Sequence, residues 1–116
     1  MEKEYTYIYI LETKKGNYYT GYTNDLEKRC NKHFSGKGAK FTKAFKPKRI
    51  AQAWLLTEDK GTALKVEAFI KKQNRVVKEE LVKKPNLLKK MVREVLKLSL
   101  RIKVVNLNKI KLAIDN

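Results

Sequence analysis

Tyr7-Ile8-Tyr9, then Tyr19-Thr20-Gly21, then Asn24-Asp25-Leu26-Glu27-Lys28-Arg29 with His33 close behind, form the stretch that decides how this chain is read. Residues 5–12 are dense in aromatic and β-branched side chains, the composition of a strand covered on both faces. Lys14-Lys15-Gly16-Asn17 supplies turn chemistry and Tyr18 to Thr23 a second strand, so the segment predicts a β-hairpin. Asn24 offers an N-cap for the next helix, with Glu27 three residues on to return the bond as in a capping box. The helix is expected over about 25–34.

Beyond the hairpin, residues 35–48 are rich in glycine and lysine with one proline and read as a loop. Arg49 to Leu56 reads as a third strand. Thr57-Glu58-Asp59 offers caps for a helix over residues 60–73, and Val76 to Lys84 reads as a short helix stopped by Pro85. Asn86 to Leu98 carries Leu87, Leu88, Met91, Val92, Val95 and Leu96 at helical spacing on one face, a face suited to core packing. Residues 100–114, with Ile110-Lys111-Leu112-Ala113-Ile114, allow a strand or a helical continuation. The expected architecture is α/β in the α+β sense: a small, mainly antiparallel three-stranded sheet flanked by helices.

At 116 residues the chain is long enough to bury one core without a disulfide or structural metal. Its 28 Lys+Arg against 12 Asp+Glu give a net charge of +16, which points to a polyanion partner; a ribosome or membrane surface would demand the same charge. Residues 1–84 hold 20 basic and 10 acidic side chains and residues 85–116 hold 8 and 2, so the surplus is spread along the chain. The one cysteine, Cys30, has no Cys or His partner at zinc-ligand spacing and suits a reducing interior. No signal peptide and no apolar run long enough to span a membrane is present, so a cytoplasmic location is expected. Gly36-Lys37-Gly38-Ala39-Lys40 lacks the spacing of a P-loop, which excludes that mode of nucleotide binding.

On a helical wheel Leu26, Cys30 and Phe34 share an arc with Arg29 and His33, which are i,i+4 neighbours turned toward the sheet. An inward cation needs an anion, either a carboxylate or a substrate phosphate. Two readings stand: Arg29 paired to an acid with His33 capping a carbonyl, or both facing a ligand. Glu67 raises the same question with opposite sign, lying among Ala63, Leu64, Val66 and Ile70 on the apolar arc of its helix. It reads as a structural partner of Arg29 or as a ligand for a hard cation that keeps most of its waters. Six tyrosines cluster in residues 5–22, where phenols can pack or hydrogen-bond a water or phosphate. Lys37, Lys40, Lys43 and Lys46 could clamp backbone phosphates, and Phe41 or Phe45 could stack on an unpaired base.

The order and spacing of these elements resemble the GIY-YIG nuclease superfamily, with Tyr7-Ile8-Tyr9 at the first motif and Tyr19-Thr20-Gly21 at the second. Tyr7 replaces the first glycine and Thr20 the second isoleucine. His33-Phe34-Ser35-Gly36-Lys37-Gly38-Ala39-Lys40 is similar to a segment of the small single-domain bacterial members. The likeness covers roughly residues 4–84, which implies a nuclease-like domain over 1–84; residues 85–116 match no feature of the family and are expected, from their own pattern, to form a basic helical extension packed on the same domain. It implies Tyr9 and Tyr19 flanking an attacking water, Arg29 on the scissile phosphate, His33 assisting, and Glu67 holding one Mg²⁺ or Mn²⁺. Where some larger relatives carry an asparagine, Glu79 stands here, with Asn74 nearby in sequence.

The reaction implied is metal-dependent hydrolysis of DNA phosphodiesters in DNA processing or repair, with DNA, or else RNA, as partner and selectivity for structure, strand or a helper protein. The competing reading is a non-catalytic DNA- or RNA-binding module on the same fold. A basic ribosome-associated protein fits the charge but gives Tyr9, Tyr19, Arg29 and Glu67 no role.

Overall fold

The computed structural model describes residues 5–112, the side chain of Thr42 apart. Strand β1 (Thr6–Thr13) pairs antiparallel with β2 (Tyr18–Thr23), and helix α1 (Leu26–Phe34) follows. Helix α2 (Lys40–Ala44) leads into β3 (Pro47–Leu56), which returns antiparallel along the other side of β1. Helices α3 (Lys60–Lys71), α4 (Arg75–Lys83) and α5 (Leu87–Met91) come next, and α5 runs on into a π-helical turn over Val92–Leu96. Strand β4 (Ile102–Val104) and a 3₁₀ turn (Leu107–Lys109) complete the described chain.

The sheet therefore has four strands in the order β2-β1-β3-β4, not the three expected. The fourth is short, Ile102–Val104 pairing with Trp54–Leu56, and its partner lies some fifty residues away, so no local pattern announces it. Ala113 and Ile114, part of the segment left open between strand and helix, fall outside the described residues.

Alternation along β1 divides the interior into two cores. Ile8 and Ile10 face one way and pack with Trp54, Leu56, Val66, Ile70, Leu81, Leu88 and Val92, while Tyr9 and Leu11 face the other and pack with Leu26, Cys30, Ile50 and Ala53. Helices α3, α4 and α5 cover the first face and α1 the second. Two polar side chains of β3 tie the later helices down: Gln52 donates to the Val82 carbonyl at 3.1 Å and the Trp54 indole to the Pro85 carbonyl at 2.9 Å.

Three local expectations shift. Asp25, not Asn24, caps α1, its carboxylate accepting from the Lys28 amide at 3.1 Å, because Thr23 Oγ1 accepts from the Asp25 amide and keeps the chain extended one residue further. The expected loop over 35–48 contains α2, whose Phe41 packs against Phe45 at the helix C-cap, the rings tilted by 30° with centroids at 4.8 Å. Its last residues belong to β3, with Pro47 at the strand's first position, where a missing N–H is tolerated. Asp59 caps α3 by accepting from the Thr62 amide at 3.2 Å.

Residues 87–112 are part of this fold. Leu88 and Val92 are fully buried and Leu100 nearly so, all in the first core. The helical run ends at Lys97 in the left-handed conformation, φ 58°. That conformation costs a residue with a Cβ roughly 1–2 kcal/mol, more than the roughly 0.3–1 kcal/mol a cation gains at a helix C-terminus. A lysine here is a net cost to the fold.

Leu88→Ala is expected to lower stability by about 2–5 kcal/mol, since it opens a cavity in a core made by helices and sheet together. Urea denaturation measures this; a loss below about 0.5 kcal/mol, the size of an ordinary surface change, would show that α5 is not integral to the core.

Candidate functional site

Tyr9 sits at the middle of β1, opposite Gly21 on β2 and Ala53 on β3. Its ring occupies the space a side chain at position 21 would need: a Cβ there would stand 2.5 Å from the Tyr9 hydroxyl oxygen and 2.6 Å from Cζ. The glycine of the second motif is thus a consequence of the tyrosine of the first. Fully buried, Tyr9 hydrogen-bonds through its hydroxyl to Nε2 of His33, also fully buried, at 2.8 Å. Gly38 backs the imidazole closely, since a Cβ there would meet Nδ1 and stand 2.9 Å from the His33 Cα.

Burial raises the Tyr9 phenol well above its ordinary pKa against the opposing hydrogen bond of Arg29, so the hydroxyl stays protonated at neutral pH. Burial lowers His33 to about 4, with repulsion from Arg29 adding to it, so the imidazole is neutral. Burial also works against the Arg29 charge, but hydrogen bonding and attraction to Tyr9 and Tyr19 outweigh it and leave the guanidinium above its ordinary value. Arginine can only donate, so Tyr9 accepts from it; its own proton is then directed to Nε2, with the His33 ring proton on Nδ1. This tautomer is an assignment from the network. Cys30, pushed up to about 12 by burial, is an inert core thiol beneath the pair.

A cleft of about 840 Å³ opens between the hairpin, α1 and α3. Tyr9, Tyr19, Arg29 and Glu67, which come from β1, β2, α1 and α3, all line it. His33 stands behind Tyr9. Among the described residues Glu67 is the only carboxylate in the lining, and it is only 7% exposed. Burial raises its pKa, and Lys71, its i,i+4 neighbour with Nζ at 3.7 Å, pulls it back. Among the described ion pairs Glu67 is joined to Lys71, and the Glu67–Arg29 bridge that spacing allowed does not form.

The lining also holds Lys60 and Lys71, which the sequence did not single out, Asn24, which it read only as a helix cap, and two exposed tyrosines, Tyr5 and Tyr22, to which it gave no specific role. Pattern could not find these lysines, because they stand on solvated positions of α3 that only the packing against β2 turns toward the site. A smaller hollow shares Arg29 and continues past Lys28 and Lys32 along α1. By contrast Lys37, Lys40, Lys43 and Lys46 are exposed but line neither hollow. Phe41, considered above as a platform for a base, is occupied: it stacks on Tyr19 with centroids at 5.7 Å and 21° between planes, and Phe45 packs behind it under Lys15.

Glu79 lies outside the cleft, paired with Arg75 at 2.9 Å, and Asn74 is spent capping α4. Arg75 also stacks on Tyr18 at 3.7 Å and bonds the Gly16 carbonyl, bracing the hairpin turn against α4. Among the described residues no group of three or more His, Cys, Asp or Glu side chains could hold a metal ion. One buried carboxylate amid hydroxyl and amide oxygens suits a hard, largely hydrated cation such as Mg²⁺ and not zinc, which takes a nearly full set of protein ligands. No helix among the described residues is long and apolar enough to cross a membrane.

Residues 5–80 match the model of the GIY-YIG catalytic domain. A UPF0213 protein of Bacillus cereus is 46% identical over 85 residues, covering 72% of this chain and 86% of that protein. A second, from Halalkalibacterium halodurans, is 46% identical over 76 residues, 66% of this chain and 80% of the relative. The solution NMR structure of the UPF0213 protein from Bacillus halodurans shares 39% identity, covers 77% of this chain and 97% of that one, and superposes with a TM-score of 0.45.

Two outcomes follow from the Tyr9–His33 contact. Gly21→Ala should cost about 1–3 kcal/mol by forcing the buried Tyr9 ring off its place, read as a lower thermal midpoint; an unchanged midpoint would mean the ring has room to move. Because folded His33 binds its proton near pH 4 and unfolded His33 near 6.5, the unfolded state holds more protons between those values and stability falls as pH falls through them. Urea unfolding at pH 5 against pH 7 should show a loss about 2 kcal/mol larger in wild type than in His33→Gln. Equal losses in the two proteins would contradict a neutral buried imidazole.

Proposed function

The chain belongs to the GIY-YIG family of nuclease domains, and from that premise we propose that it is an active endonuclease hydrolysing DNA phosphodiesters with one Mg²⁺ or Mn²⁺. One observation carries the proposal: Tyr9, Tyr19, Arg29 and Glu67, on four different elements, converge on one cleft of a protein with net charge +16. A core needs no such convergence of hydroxyls, a cation and a buried carboxylate.

The residues divide the work by position. A water attacking phosphorus at the Tyr9 side gives its proton to the Tyr9 oxygen as the Tyr9 proton passes over 2.8 Å to His33 Nε2. The phosphorus–oxygen bond to the 3′-oxygen breaks, and that oxygen is protonated from solvent. His33 must be neutral to accept, which its lowered pKa secures, and Tyr9 relays a proton without standing as a phenolate. Arg29 faces the non-bridging oxygens, where its fixed charge is worth more as phosphate charge builds. Tyr19, held by Phe41, positions the water from the other side. Glu67 would hold the metal ion, which supplies charge neutralisation at the phosphate and the leaving oxygen.

Labelled single-stranded, duplex and branched DNA, incubated with Mg²⁺, should be cleaved by the wild type and not in EDTA. Glu67→Gln and Tyr9→Phe should each lose at least about 100-fold in rate while DNA binding persists. Tight, salt-sensitive binding without cleavage by the wild type would replace the enzyme with a binding module.

A further inference from the structure

Between Lys83 and Lys103 the chain carries eight Lys and Arg against one acid, Glu94, and all eight are exposed. None of them lines either hollow of the candidate site, and none enters an ion pair among the described residues. The segment lies beyond residues 5–80, so the catalytic-domain match does not account for it. A basic run is most often a solvated face or a disordered tail. Here the tail reading fails, because Leu88, Val92 and Leu100 hold the same segment in the core.

The charges are ordered on that rigid frame. Over the ten residues of α5 and its π-helical continuation, Lys89, Lys90 and Arg93 fall within an arc of about 100°, and Leu88 and Val92 lie on the opposite, buried side. A helical run of this length is about 15 Å, against which a DNA duplex presents a charge every ~1.7 Å of its axis. Lys97 supplies the second observation. It ends the run in the left-handed conformation, where glycine would sit without strain, so the fold carries a backbone cost at a cation four residues beyond Arg93.

We propose that Lys89, Lys90, Arg93 and Lys97 form a second phosphate-contacting surface, apart from the cleft, that grips the backbone of double-helical DNA without reading its sequence. The proposal takes the choice of DNA from the nuclease reading, but its binding test does not require cleavage. A lipid surface fits less well, since among the described residues Val95 is the only exposed large hydrophobic side chain in the segment that carries these cations. The surface gives a single small domain a way to stay on DNA while the cleft engages one phosphodiester.

The test measures binding of a labelled 30-base-pair duplex across a salt series by wild type, the quadruple variant Lys89→Gln, Lys90→Gln, Arg93→Gln, Lys97→Gln, and the single variant Lys97→Gly. Loss of four phosphate contacts should make the slope of log affinity against log salt shallower by about 3 to 4 in the quadruple variant, at ~0.9 per contact. Lys97→Gly should shift the slope by about 1 while raising the thermal midpoint, a combination that misfolding cannot produce. Cleavage of a short oligonucleotide that reaches only the cleft should stay at the wild-type rate. Unchanged slopes would overturn the proposal, as would a slope change matched by equal loss of short-oligonucleotide cleavage. Retention of the wild type on phosphatidylserine vesicles but not on duplex would overturn it in favour of a lipid surface. A shallower slope with no cleavage by any protein would leave this surface standing and remove the nuclease reading.

Discussion

The hydrogen bond between the Tyr9 hydroxyl and His33 Nε2 is the contact on which the rest of the site depends. Both groups are fully buried, and losing the bond between them would leave a buried donor or acceptor unmatched, at a cost of roughly 1–3 kcal/mol. Together they satisfy each other and join the middle of the sheet to the third turn of α1. The demand for space then spreads outward. Gly21 must lack a side chain so that the Tyr9 ring can lie across β2, and Gly38 must lack one so that the imidazole can face the chain after α1. Gly21, inside a strand, and Gly38, in a stretch that reads as a loop, are there because an aromatic ring fills their side-chain space.

Burial also decides protonation, and with it the chemistry open to the cleft. The same desolvation that holds Tyr9 as a phenol holds His33 as a neutral base, so a proton can move between them without either carrying charge at rest. Arg29 is charged in every state and lies against them, which makes a second cation at His33 costly. Among the described residues of the lining Glu67 is the one acid beside several cations, and its burial makes an uncompensated negative charge expensive. Lys71, half exposed at 3.7 Å, compensates only in part, which leaves the carboxylate suited to a further positive partner.

The C-terminal third has two sides with different tasks. Its apolar side completes the first core and receives hydrogen bonds from Gln52 and Trp54 of β3, so the helices that follow α3 are held by the sheet. Its outer side is almost uniformly basic. Rigidity matters to the second side, because charges fixed on a helix lose less freedom on meeting a polyanion than charges on a tail.

What the sequence determined by itself was whatever is written in local periodicity and turn chemistry: the hairpin, the helices α1, α3 and α4, the inward direction of Arg29, His33 and Glu67, and most of the amphipathic face expected over residues 86–98, where Val95 instead stands exposed and the helix ends at Leu96. Each depends on neighbours within one or two turns, so spacing alone carries it. What only the tertiary structure decided depends on partners far along the chain. Strand β4 exists because Trp54–Leu56 offers an edge, α2 because Phe41 finds Tyr19, and Glu67 pairs with Lys71 one turn further along α3 and not with Arg29 of α1. The neutrality of Tyr9 and His33 belongs to the same class. Ionisation is set by how much water a group has lost and which charges stand near it, and no stretch of sequence records either until the sheet and helices have closed around it.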